Sequence, residues 1–229
     1  MNKRTPPTNG SEIIFKMEPW NTKGRRSNNC YAYAVNDYRA YRPIKSVPGA
    51  SVGRNGFHTY RNCKGLAERV IADNPGKVYK VPAMAKCKKG CYKIMMVVAP
   101  KNIYGNSTGD FHFYKQHSKA EHVVKEGDTY KSIANMYGVP YSRILKAGAG
   151  KKLKPGRKLR FPVNLFSHKQ GWATGPLLRD ACGKIIRDPR KSCRNYGYNY
   201  ATYCSSFCVK NKGIRVGNSE ISKHLSKFF

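Results

Sequence analysis

The sequence predicts an α+β fold: an antiparallel sheet with a small β-α-α-β module inserted in it. Three observations carry this. Residues 121–163 follow a strand, helix, helix, strand pattern with turn signals at each junction. Strand-like runs flank that stretch on both sides, at Asp110–Lys115 and Leu165–Trp172. Near the N-terminus, Asn28–Val35 reads as an apolar, Ala-containing helix that needs a sheet to pack on.

Each element follows from local residues. Residues 1–20 form an N-terminal basic arm, and Asn28 and Asn29 are available to cap the first helix. Lys64–Ala72 is a second helix, stopped by Asn74-Pro75-Gly76. Val78–Val81 is a strand leading toward Ile94–Pro100, a run too short to span a bilayer that reads as a buried strand. A turn-rich loop at 102–109 precedes the alternating aromatic strand Asp110–Lys115. Then comes a β-prone run at His122–Val124, followed by Gly127-Asp128-Thr129, a helix start with Asp or Thr as cap. Ile133, Met136 and Tyr137 fall at helical spacing, and Gly138 stops that helix. Ile144 and Leu145 lie on a second short helix, and Pro155-Gly156 turns into the strand Leu159–Pro162. Residues 180–189 suggest two short strands or turns. Asn195–Tyr203 is a Tyr-rich run that packs irregular surface or stacks on bases or sugars.

Residues 121–163, with their V-x-x-GDT-x-x-x-IA-x-x-YGV and L-x-PG-x-x-L-x-x-P patterns, resemble the LysM domain, a small glycan-binding module. The resemblance implies binding of N-acetylglucosamine-containing chains in a shallow groove between two loops. Here those loops hold Gly127, Asp128, Thr129 and Tyr130 on one side, and Lys146, Ala147, Gly148 and Ala149 on the other. The second loop lacks the Asn common in the family, and six cations between Lys151 and Arg160 make the module unusually basic.

With residues 122–163 lifted out, the strands carrying His112 and His168 become neighbours in a hairpin, with the module at its tip. The motifs NCYAYA, DFHFY and FSHKQG then resemble the NlpC-type branch of the papain-like cysteine peptidases. The resemblance implies a discontinuous domain over 21–120 and 164–229. Within it Cys30 is the nucleophile, His112 the base and His168 the orienting residue. A helix N-terminus at Cys30 would favour the thiolate. Asn29 and Tyr31 replace the family's usual neighbours of the nucleophile.

Composition limits the alternatives. The 229 residues carry 44 Lys and Arg against 12 Asp and Glu, a net charge of +32 spread along the chain. Such charge calls for polyanions or acidic partners. So few acids argue against carboxylate-based hydrolysis, and no phosphate-binding loop or dinucleotide fingerprint occurs. The start, MNKRTPPTNGSEIIF, lacks the apolar stretch of a signal peptide. Besides Cys30 there are Cys63, Cys87, Cys91, Cys182, Cys193, Cys204 and Cys208. Two pairs have C-x-x-x-C spacing, which suits disulfides better than a zinc knuckle, so no metal or cofactor is expected. Connectivity stays open. A catalytic Cys30 would leave seven cysteines and one of them unpaired.

The motifs together with the inserted module resemble uncharacterised proteins of large double-stranded DNA viruses. That resemblance implies a minor capsid or virion component with acidic protein neighbours. A cysteine-dependent amide hydrolase directed to a cell-wall polymer, secreted or wall-associated by another route, is the alternative. Non-specific nucleic-acid binding is a third.

Overall fold

The computed structural model describes residues 5–38, 46–54, 60, 62–100 and 109–217. Most of the turn-rich loop expected at 102–109 lies outside them. The helices are α1 (Cys30–Ala34), α2 (Cys63–Ala72), α3 (Tyr130–Tyr137) and α4 (Tyr141–Ala147). The strands are β1 (Val78–Val81), β2 (Cys91–Ala99), β3 (Asp110–Val123), β4 (Lys158–His168) and β5 (Thr202–Lys210). They form one antiparallel sheet in the order β1-β5-β2-β3-β4.

The sheet buries both faces, so β2 is apolar almost throughout rather than alternating. On one face α1 and α2 pack on Ile94, Met96, Phe111, Phe113 and Phe207. Asp73, just past α2, ties that layer together. It accepts hydrogen bonds from the Tyr31 hydroxyl at 2.7 Å and from the backbone N–H of Gly49 at 2.9 Å. The opposite face packs Met95, Val97, Tyr114 and Phe166 under Ile186 and the Tyr-rich run.

β3 and β4 are longer than expected. The runs read as separate strands, 110–115 with 122–124 and 159–162 with 165–172, are each one continuous strand up to His168. The hairpin of the main sheet therefore runs straight into the outer module, with a register shift between His117 and Lys119 that lets the ladder turn. Tyr114 pairs with His168, and Val123 with Lys158, so α3 and α4 occupy the hairpin's tip.

That tip has its own core of Ile133, Ala134, Tyr137, Ile144, Leu159 and Phe161. Thr129 rather than Asp128 caps α3, in a reciprocal capping box with Ser132. Gly138 ends α3 at φ +59°, where a Cβ would also meet Ile185 at 2.8 Å.

Within the N-terminal arm, Pro6 and Phe15 lie against the sheet. Phe15 bridges Ala120 in parallel, and the Pro6 carbonyl accepts from Gln116 and Asn164. Disulfides join Cys63–Cys204, Cys87–Cys208 and Cys182–Cys193. Cys91, a disulfide candidate, is instead a buried thiol packed among Cys87 and Cys208, and Cys30 is likewise buried and outside the three disulfides. The close spacing of Cys87 and Cys91 does not pair them, because β5 brings Cys208 to Cys87 from across the sheet.

Candidate functional site

The expected nucleophile, base and orienting residue all lie about one open cleft of about 380 Å³ at the start of β3. Cys30, His112, Trp172, Tyr196, Tyr198 and Tyr200 line it, and His168 stands directly behind His112.

Cys30 is the first residue of α1. Asn29 caps that helix through its side-chain oxygen to Ala32 N–H at 3.1 Å, while its amide donates to the Ser46 carbonyl at 2.7 Å. The Cys30 thiol donates to the Phe111 carbonyl at 3.7 Å. Five residues align few peptide dipoles, so the helix end lends Cys30 less positive charge than expected. A cation is present in its place. Lys169, fully buried, donates from Nζ to the carbonyls of Arg25 and Gly171, each at 2.6 Å. Burial pushes its ammonium down to about 8, and the negative form of Cys30 acts against that fall. Lys169 sits in the FSHKQG motif but went unread as a functional residue, since a Lys beside a His carries no local sign that it will be buried.

The two imidazoles are ordered by what surrounds them. His168 Nε2 lies 3.0 Å from the Arg179 carbonyl, and a carbonyl only accepts, so Nε2 carries the hydrogen. Its Nδ1 is then an acceptor. His112 Nε2, 2.8 Å away, must donate to it. That leaves His112 Nδ1 as the unprotonated, basic atom of the pair. Burial holds His112 well below the usual imidazole range and brings His168 down to about 4, so both are neutral near pH 7.

Strand alternation puts His112 on the face of Tyr114, opposite Phe111 and Phe113 and the α1 layer. Cys30 and His112 approach the cleft from the two sides of the sheet, where β3 begins. Tyr196 and Tyr200 hold the imidazole from above, with ring centroids 5.4 and 5.2 Å away. The Tyr200 hydroxyl donates to Asp110 at 2.7 Å. The Tyr-rich run, read as irregular surface or as a stacking surface, is thus a wall of the cleft. Its role is set by contacts far away in sequence.

At the hairpin tip, the residues expected in the glycan groove have internal partners. Tyr130 donates its hydroxyl to the carbonyls of Lys151 at 2.5 Å and Gly148 at 3.2 Å, which bridges the two loops. Asp128 accepts from Lys125 N–H and pairs with His122 Nε2, both at 2.7 Å. Those bonds, with the Coulomb pull of His122 and Lys125, outweigh its partial burial and hold its carboxyl below the usual range. Gly127 takes φ +78°, and Ala147 ends α4 next to Gly148.

A capped α3, a second short helix and two flanking antiparallel strands are together the whole of a small β-α-α-β unit. Residues 122–162 are a LysM domain. The match covers the tip of the hairpin and none of the cleft. No curated protein and no solved structure matches the chain. The LysM domain points to glycan or peptidoglycan binding. None of the described helices is long and apolar enough to cross a membrane.

Proposed function

We propose that the protein is a cysteine-dependent amide hydrolase, of the NlpC type its motifs resemble, brought to an N-acetylglucosamine-containing polymer by its LysM domain. The carrying observation is the fixed tautomer of the His112–His168 pair at an open cleft that is also lined by Cys30, a buried cysteine outside the disulfides. A base needs an unprotonated nitrogen, and the Arg179 carbonyl, acting through His168, leaves His112 Nδ1 without a hydrogen.

In this mechanism His112 Nδ1 takes the Cys30 proton as sulfur attacks the substrate carbonyl. The same proton then passes to the leaving amine, and water hydrolyses the thioester. Lys169 favours the negative sulfur electrostatically. The aromatic walls hold an extended peptide or sugar chain, and the LysM domain raises its local concentration.

Peptidoglycan fragments incubated with the protein should lose an amide bond, monitored by mass spectrometry. Cys30→Ala should abolish the cleavage with thermal stability unchanged to within a few degrees. Iodoacetamide should label Cys30 in the folded protein. Labelling of Cys30 only after denaturation, or cleavage that survives Cys30→Ala, would refute the proposal.

The net charge of +32 favours a second reading, a virion component with acidic neighbours. In that case the isolated protein binds polyanions with steep salt dependence and cleaves nothing.

A further inference from the structure

Among the described residues three lysines are buried in the main sheet region, and two of them are satisfied in the same way. Lys93 donates to the carbonyls of Ala83 and Ala85, and Lys169 to those of Arg25 and Gly171. Lys115 on β3 differs. Among the described residues its Nζ has one hydrogen-bond acceptor, Asn36 Oδ1 at 3.3 Å, and otherwise faces aromatic rings. The Tyr33 centroid is 3.9 Å away and that of Trp20 is 5.2 Å away. Among the described residues no carboxylate pairs with it.

This ammonium lines a cleft of about 390 Å³, within the usual size of small-molecule pockets. Ile13, Ile14, Pro19 and Trp20 supply apolar walls. The other titratable groups around it are engaged or peripheral. His117 uses both nitrogens, Nδ1 on the Ile13 carbonyl and Nε2 on the Ser167 hydroxyl. The Tyr33 hydroxyl bonds to Ser167, and Tyr38 stands edge-on to Trp20. Glu18 accepts from Thr22, and Lys16 pairs with Glu121.

We infer that this cleft binds a small monocarboxylate with an apolar or aromatic body, with Lys115 as its counter-ion. A buried ammonium with N–H groups directed at ring faces gains most from a ligand that brings both charge and acceptors. One cation suits one carboxylate. A phosphate dianion would need a second cation, and Lys16, the other described cation of the lining, is paired with Glu121. Burial alone pushes Lys115 down to about 7, so much of it is neutral above that pH, and binding an anion must pull a proton in. The site lies at the end of α1 away from Cys30 and stands apart from any hydrolase activity.

The test uses the full-length protein with phenylacetate and phenylacetamide, two probes alike except for charge. Calorimetry in buffers of different ionisation enthalpy should show phenylacetate binding at least about tenfold more tightly than the amide. At pH 8 uptake should be about 0.9 proton per ligand, falling to about a tenth of that at pH 6, given an ammonium at about 7. Lys115→Met should erase the preference for the acid. Equal affinity for the two probes, no binding of either, or no proton uptake at pH 8 would overturn the inference, and none of these readings depends on how the variant folds.

Discussion

Acidification from pH 7.5 to pH 5 should strip this protein of a large part of its stability. His112, His117 and His168 are buried and held neutral, chiefly by desolvation, with His117 brought down to about 3 and His168 to about 4. A histidine with a depressed folded pKa contributes stability that is complete above the unfolded value near 6.5. That stability is lost as pH falls toward the folded value. At pH 5 the unfolded chain has protonated all three while the folded chain has not. His117 and His168 then each cost about 1.5 pH units at 1.36 kcal/mol per unit, or about 2 kcal/mol, so about 4 kcal/mol together, and His112 acts in the same direction. That is a large part of the stability of many domains. Glu121 and Asp128 are held below the usual carboxylate range, so they stay ionised at pH 5 and add nothing to the loss. Lys93, Lys115 and Lys169 act at higher pH. Their folded values of about 8, 7 and 8 make stability climb further between pH 7 and 10. Urea unfolding at pH 5, 6, 7 and 8 reads the slope. His117→Gln should remove about 2 kcal/mol of the difference between pH 7.5 and pH 5. Stability that is flat or rises on acidification would refute the buried neutral imidazoles, and with them the tautomer assigned to the candidate site.

Other perturbations address single contacts. Gly148→Ala places a Cβ 2.2 Å from the Tyr130 hydroxyl, so the ring must leave and its two loop-bridging bonds break; a cost of about 1–3 kcal/mol in thermal unfolding is expected. Thr129→Ala removes the α3 cap and should cost about 1 kcal/mol by the same measurement. Replacing Cys63 and Cys204 together by Ser opens a bridge of sequence separation 141, worth about 5 kcal/mol by chain entropy in denaturant unfolding. His168→Leu leaves the His112 N–H without its acceptor, and turnover on peptidoglycan fragments should fall by about 10²–10⁴ with little change in KM.

The elements that the residues foretold are those governed by local chemistry. Asn29, Thr129, Gly138 and Gly156 carry their cap and turn signals in their own side chains or in the lack of one, and the structure uses each of them so. The apolar run at 94–99 could be little other than a buried strand, and β2 extends it only to Cys91. β5 was missed because Thr202–Lys210 drew notice for its cysteines, and its strand character shows only between β1 and β2. The continuity of β3 through 116–121 was equally hidden. Gln116, His117, Ser118 and Lys119 look like a polar break, yet they are mostly buried, with Gln116 bonded to Pro6 and Asn164 and His117 to Ile13 and Ser167.

By itself, then, the sequence determined the α+β class, the caps at Asn29, Thr129 and Gly138, the LysM domain and the positions of a thiol and two imidazoles worth testing. Each of these depends on residues a few places apart, where caps, turns and periodic apolar faces act. Tertiary structure decided which cysteines pair and which nitrogen of His112 bears the hydrogen. It also buried Lys115 and Lys169 and turned the Tyr-rich run into a cleft wall. The physical reason is distance along the chain. Burial and hydrogen-bond partners such as Arg179 for His168, Cys208 for Cys87 and Tyr33 for Lys115 come from remote segments, and desolvation exists only once the sheet has closed over them.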